Sequence, residues 1–190
     1  MSDRVPNPQS PISNPESPTP NPQSPIPVFP LAVATVFGIG YAPVAPGTFG
    51  SAAGLLLWWL LPASATTHAV VIAALFVAGS WSGNIAERHF GRTDPGQVVV
   101  DEVMGMLITL FLNPVGWAGA LLAFFMFRVF DVLKPYPSDR LERLHGGIGV
   151  MADDGMAAVY ANLALRACIW LSGHLVIWSL IVELIPSMTR

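Results

Sequence analysis

Three acidic groups interrupt an otherwise apolar chain: Asp101–Glu102 in VVVDEVMGM, Asp131 in FRVFDVLKPYP, and Asp153–Asp154 in HGGIGVMADDGMAA. Ionised side chains beside hydrocarbon are costly and mark sites of function. Five carboxylates brought to one place repel one another unless a cation or shared protons neutralise them. Oxygen ligands without cysteine suit a hard ion, and Mg²⁺ is the first candidate. Basic residues stand beside the acids. Arg128 and Lys134 lie three residues either side of Asp131, on one helix side, and His145 opens HGGIG. Arginine and lysine are natural phosphate binders. The stretch APGTFGS (45–51) adds a helix start with two hydroxyls, Thr48 and Ser51, and glycines that let an anion approach backbone N–H groups. Together these residues read as phosphoester chemistry on a lipid head group.

Each group alone has a plainer reading. Asp101–Glu102 and Asp153–Asp154 would complement a helix dipole if they start helices, an effect well under ~1 kcal/mol each. Arg128, Asp131 and Lys134 would form an ion-pair ladder that anchors a helix end. What separates the two readings is convergence, which depends on the elements that carry the groups.

Of the 190 residues, 53% are hydrophobic and 11% charged, with a mean hydropathy of +0.55. Soluble domains carry roughly a quarter charged residues, so the chain reads as an integral membrane protein. A net charge of −3 gives no basic patch for nucleic acid. The single Cys168 excludes an internal disulfide.

Residues 1–30 differ in kind. NPQSPIS, NPESPTP and NPQSPIP repeat in tandem over 7–27, and proline in every repeat forbids a helix. They read as a disordered or polyproline-II tail preceding a helical membrane domain over 31–190. From 28 to 86 there is no Asp, Glu, Lys or Arg. Helices are expected near 48–61, 66–86, 100–112, 115–134 and 153–185, the last broken near Ser172–Gly173. The second, fourth and fifth are long enough to span a bilayer core of about 20 helical residues. The fold class is therefore all-α, a multi-helix integral membrane bundle.

Alternating helix direction gathers every polar motif on one face: APGTFGS, the loop 87–100, Asp101–Glu102 and the loop 134–152. That face holds Arg88, Arg92, Lys134, Arg140 and Arg143, whereas the short turns opposite hold no Lys or Arg. The positive-inside rule puts it in the cytoplasm, provided 28–46 does not itself span.

The motifs PVAPGTFGS (43–51), DEVMGM (101–106), FRVFDVLKPYP (127–137) and HGGIGVMADD (145–154) resemble, in order and spacing, those of the phosphatidylglycerophosphatase A family. The resemblance covers most of 36–160. It implies a Mg²⁺-dependent, largely helical phosphatase of the bacterial inner membrane that converts phosphatidylglycerophosphate in the bilayer to phosphatidylglycerol. It also implies that Asp101, Glu102, Asp131, Asp153 and Asp154 supply metal ligands and a base. Arg128, Lys134 and His145, with Thr48 and Ser51, would hold the phosphate. Consecutive helical residues diverge by ~100°, so the neighbouring acids should divide: Glu102, Asp131 and Asp154 are expected on the metal, in preference to Asp101 and Asp153. An activated water is the simplest nucleophile; no DxD motif favours a phospho-aspartate.

Other motifs carry less. LSGH (171–174) lacks the proline and companion basic motif of the histidine-nucleophile lipid phosphatases. GIGYAP (38–43) completes no GxGxxG and has no βαβ surroundings. His68 and His89 read as interfacial, and Arg166, deep in the last helix, as snorkelling or paired with a neighbour's carboxylate. The rival function is a small transporter or channel, which would spread its carboxylates through the membrane depth. A lipid phosphatase for another head group is a nearer rival.

Overall fold

The computed structural model describes residues 26–136, 141, 144 and 146–188, with side chains as far as residue 173. Among these residues there are six α-helices and no strand: α1 Val28–Ala34, α2 Pro46–Leu60, α3 Ala65–Phe90, α4 Val100–Leu110, α5 Trp117–Leu133 and α6 Gly147–Met188. A 3₁₀ turn, Ile39–Tyr41, links α1 to α2. The all-helical expectation holds. The proline repeats over 7–25 lie outside the described residues, and α1 begins three residues inside the stretch assigned to the tail.

The short α4 is the centre. Nine of its 11 residues are buried, and it packs against α2, α3, α5 and α6. A helix that is apolar on all sides is stable only when enclosed on all sides. Phe127 of α5 closes one flank, fully buried with Met106 and Leu110. On another flank α2 approaches closely because Gly50 and Gly54 face α4. A Cβ at Gly54 would lie 2.7 Å from Met106 Cβ, and one at Gly50 2.9 Å from Val99 Cβ. Small residues at such crossings are the usual way helices dock where hydrocarbon tails compete for apolar surface.

Outward faces are apolar: Trp59, Val70, Val77, Phe125, Val129 and Leu163 are all exposed. A soluble monomer does not present so continuous an apolar surface. Two helices, α3 and the Gly147–Gly173 part of α6, are long and apolar enough to cross a membrane. α5 rises about 25 Å over its 17 residues, at the lower limit of a span. α1, at seven residues, cannot cross, which meets the condition set for the topology.

Two expectations need correction. α6 continues through Ser172–Gly173 without a break. It also begins at Gly147 rather than near 153, because Asn84 Oδ1 of α3 accepts the Gly147 N–H at 2.9 Å. Asp153 and Asp154 are therefore its seventh and eighth residues, beyond the reach of a first-turn dipole effect.

At one end of the bundle the turns after α2 and α4 meet, since Ala63, Ser64 and His68 share a cavity of about 680 Å³ with Leu112, Asn113 and Pro114. The polar motifs gather at the opposite end, as alternation requires. His68 sits away from them, as expected.

Candidate active site

Four helices contribute. The first turn of α4 carries Asp101 and Glu102, the second turn of α6 carries Asp154, and the last turns of α5 carry Arg128 and Asp131. The start of α2 closes the side. Asp101, Glu102 and Asp154 each present a carboxylate oxygen, all within 4.8 Å of one another. Asp131 lies within hydrogen-bonding reach of Asp154.

Burial dominates the electrostatics. Asp101 is held well above the usual carboxylate range, first by burial and then by the charge of Glu102 beside it. Glu102 is pushed up to about 8, again chiefly by burial, with the charges of Asp154 and Asp131 adding to it and Arg128 opposing. Glu102 Oε2 and Asp154 Oδ2 are buried and accept no hydrogen bond from the described residues. Buried carboxylate oxygens without donors are expensive, and a bound cation would satisfy them. An all-oxygen donor set of this kind fits Mg²⁺ or a similar hard ion.

Arg128 ties three helices together. Its Nη1 is 2.6 Å from Asp131 Oδ2, 4.0 Å from Glu102 Oε1, and donates to Ser51 Oγ at 3.4 Å. The guanidinium is thus presented at the rim of the acid cluster in a fixed orientation. Lys134 departs from the expected ladder. It ends α5 in a left-handed conformation (φ 42), which turns its ammonium across to Asp153 Oδ2 of α6 at 2.5 Å. Tyr160 braces the turn that follows, donating to the Tyr136 carbonyl at 2.7 Å.

The predicted residues therefore divide. Asp154 and Glu102 belong to the cluster, and Asp153 is turned away to Lys134, as a 100° step demands. Asp101 is also in the cluster, against expectation. Its short side chain stays by the helix start, accepting the Glu102 N–H at 3.0 Å, while the longer Glu102 side chain bends back to meet it. Asp131 is outside the three-oxygen group and serves Arg128. Ser51 is fully buried, and its hydroxyl donates to the Gly47 carbonyl at 2.9 Å while accepting from Arg128. It helps to seat the arginine. Thr48 is half-buried in the same turn. Fewer N–H groups are free there than expected, since Pro46 has none and that of Thr48 bonds the Ala45 carbonyl at 2.9 Å. His145 lies outside the described residues.

Two residues escaped the sequence reading. A Cβ at Gly47 would collide with Glu102 Oε1 and come within 3.1 Å of Arg128 Nη1, so glycine here keeps the side of the site open. Asn84 holds the start of α6, and with it the depth of Asp154. APGTFGS signalled the first, although as an anion loop; no local pattern signalled the second. Among the described residues Arg166 makes no carboxylate pair. It donates to Asn162 Oδ1 at 2.9 Å and to the Phe111 carbonyl at 3.2 Å, at the far end of α4.

Comparison with known proteins agrees with this geometry. Residues 32–169 match the family described as Phosphatidylglycerophosphatase A. The chain is similar to a Bacteroides thetaiotaomicron protein named phosphatidylinositol-3-phosphatase, with 39% identity over 76% of this chain and 96% of that one. It is similar to Phosphatidylglycerophosphatase A of Haemophilus influenzae, with 38% identity over 74% of this chain and 88% of the relative. For the Escherichia coli protein of the same name the values are 35%, 67% and 76%. No solved structure matches the chain significantly. With the acid cluster, its arginine and the match over 32–169 in agreement, the chain belongs to the phosphatidylglycerophosphatase A family and is a phosphatase.

Proposed function

We propose that the chain hydrolyses phosphatidylglycerophosphate to phosphatidylglycerol and inorganic phosphate at a Mg²⁺ site on the cytoplasmic side of the bacterial inner membrane. The observation that carries this reading is the convergence of Asp101, Glu102 and Asp154 within 4.8 Å, with Arg128 at their rim. These three acids would hold the cation, with Asp131 beside them. When bound, Mg²⁺ would supply Lewis-acid neutralisation of charge on the phosphoryl oxygens.

The chain's own groups do the rest. Arg128, locked by Asp131 and Ser51, offers a forked donor to the equatorial oxygens, where charge grows as the phosphorus–oxygen bond breaks. Lys134 and Thr48 would add charge and a donor for the phosphate, and His145, outside the described residues, is assigned the same role from the sequence alone. Asp153 positions Lys134 and lowers the cost of keeping an ammonium half-buried. Water attacks phosphorus and gives its proton to a carboxylate of the cluster, with Asp131 well placed to relay it through Asp154. The glycerol oxygen departs and takes up a proton.

The test is phosphate release from phosphatidylglycerophosphate by purified protein in detergent, with Mg²⁺ and with EDTA. Metal-dependent release supports the reading. A second head group has a specific observation behind it, since one 39% identical relative is named phosphatidylinositol-3-phosphatase. Release from phosphatidylinositol 3-phosphate at the higher kcat/KM would replace the first substrate with the second. No release from either would remove both.

A further inference from the structure

An apolar groove of about 680 Å³ runs between α3, α4 and α6. Its walls are hydrocarbon: Ala73 and Phe76 from α3, Met104 and Ile108 from α4, Gly155 and Val159 from α6. Two of these helices are the ones long and apolar enough to cross a bilayer.

Helical spacing sets the groove next to the acid cluster. Met104 follows Asp101 by three residues and Ile108 lies one turn further, so acid and wall share one stripe of α4. On α6, Met151 lines the groove and precedes Asp154 by three residues, on the same side of that helix. From Met151 to Val159 the α6 wall runs for about 12 Å, close to the depth of one leaflet, half of a hydrocarbon core ~30 Å thick. Gly155 is informative because packing does not require it. A Cβ there would sit 3.6 Å from Met104 Cε and 4.0 Å from Ile108 Cδ1, ordinary contacts within a regular helix. Its missing side chain widens the groove beside the acids.

We infer that this groove seats one acyl chain of the lipid whose phosphate lies at the acid cluster, an inference that rests on the lipid-phosphatase reading above. The second chain of a diacyl lipid stays in the bilayer. Seating one chain between α3 and α6 fixes the depth and orientation of the head group before chemistry, so the enzyme favours long-chain lipids over water-soluble analogues with the same head group.

The test compares wild type, Ala73→Trp and Ala74→Trp as purified full-length proteins. Each is assayed on phosphatidylglycerophosphate with two oleoyl chains and on its water-soluble dibutanoyl form. Ala73 lines the groove; Ala74, the next residue and also exposed, does not. Ala73→Trp is expected to lower kcat/KM for the long-chain lipid roughly tenfold and to leave the short-chain value unchanged. Ala74→Trp should change neither. Should Ala73→Trp fail to fold, Val77→Trp, at a groove position that is 69% exposed, repeats the test. Equal loss on both lipids, or on neither, overturns the inference while wild-type activity keeps the phosphatase reading intact. A change of oligomeric state in Ala73→Trp with loss on both lipids assigns the groove to a second copy of the chain and also overturns it. Wild type inactive on both lipids removes the head-group reading, and the inference with it.

Discussion

The two ends of α4 treat buried polarity in opposite ways. At its C-terminal end the carbonyls of Ile108, Thr109 and Phe111 all accept from Asn162 Nδ2, at 2.9 to 3.0 Å. Arg166 adds a bond to Phe111 and another to Asn162 itself. At the N-terminal end Glu102 Oε2 and Asp154 Oδ2 are buried without donors among the described residues. Groups that serve only the fold have their hydrogen bonds satisfied within the protein. Carboxylate oxygens left short carry a cost the fold must absorb, and a bound cation would remove it. On the proposed function, one end of the helix serves the architecture and the other the chemistry.

The largest effect should come from Asp154→Asn, which keeps the shape but removes a charge from the cluster. Turnover is expected to fall by ~10³-fold or more, while the melting temperature without metal should change little, since the amide keeps the size and shape of the carboxyl. Near-normal kcat in this variant would take Asp154 out of the site.

Proton and metal should compete next. Glu102 is raised from its ordinary 4.5 to about 8, so the folded, metal-free protein binds a proton there that the unfolded chain has released. The stabilising contribution of that proton is full below about 4.5 and is lost as pH rises through about 8. Melting curves in EDTA should therefore shift downward across this window. Excess Mg²⁺, which binds the ionised acids, should offset the shift. A pH profile that Mg²⁺ leaves untouched would mean the cation binds elsewhere.

A smaller change, of the opposite kind, is expected from Asn162→Ala. It strips the carbonyls at the far end of α4 of a shared donor and should cost about 1–3 kcal/mol of stability, with kcat of the folded enzyme unchanged. If kcat collapsed in a variant that melts normally, the division between the two ends would fail. The least effect is expected from removing residues 1–27, which precede α1. Phosphate release should be unaltered, and a large drop would give the proline repeats a role in catalysis.

Much of the fold was legible because helices in a membrane chain announce themselves by uninterrupted apolar length. Four of the five expected helices begin within two residues of their observed starts. The fifth was missed by six residues, since HGGIG reads as a loop to any rule of local propensity. It is helical from Gly147 because α3 supplies a cap through Asn84 and a close approach at Gly83, where a Cβ would come within 3.0 Å of Gly147 Cα. The seven-residue α1 was equally invisible, being too short to leave a periodic signal.

The sequence by itself determined which residues can ionise, and alternation of helix direction was enough to bring them to one end of the bundle. It also determined that Asp153 and Asp154 must point apart. Only the tertiary structure decided that Asp101 joins Glu102 and Asp154, that Lys134 crosses to Asp153, and that Ser51 is spent on Arg128. Helical periodicity fixes the direction of a side chain to within a face. Which oxygens come within 4.8 Å of one another depends on how closely the helices dock and how deep α6 sits, and those are set by contacts at Gly47, Gly50, Gly54 and Asn84 between segments far apart in sequence.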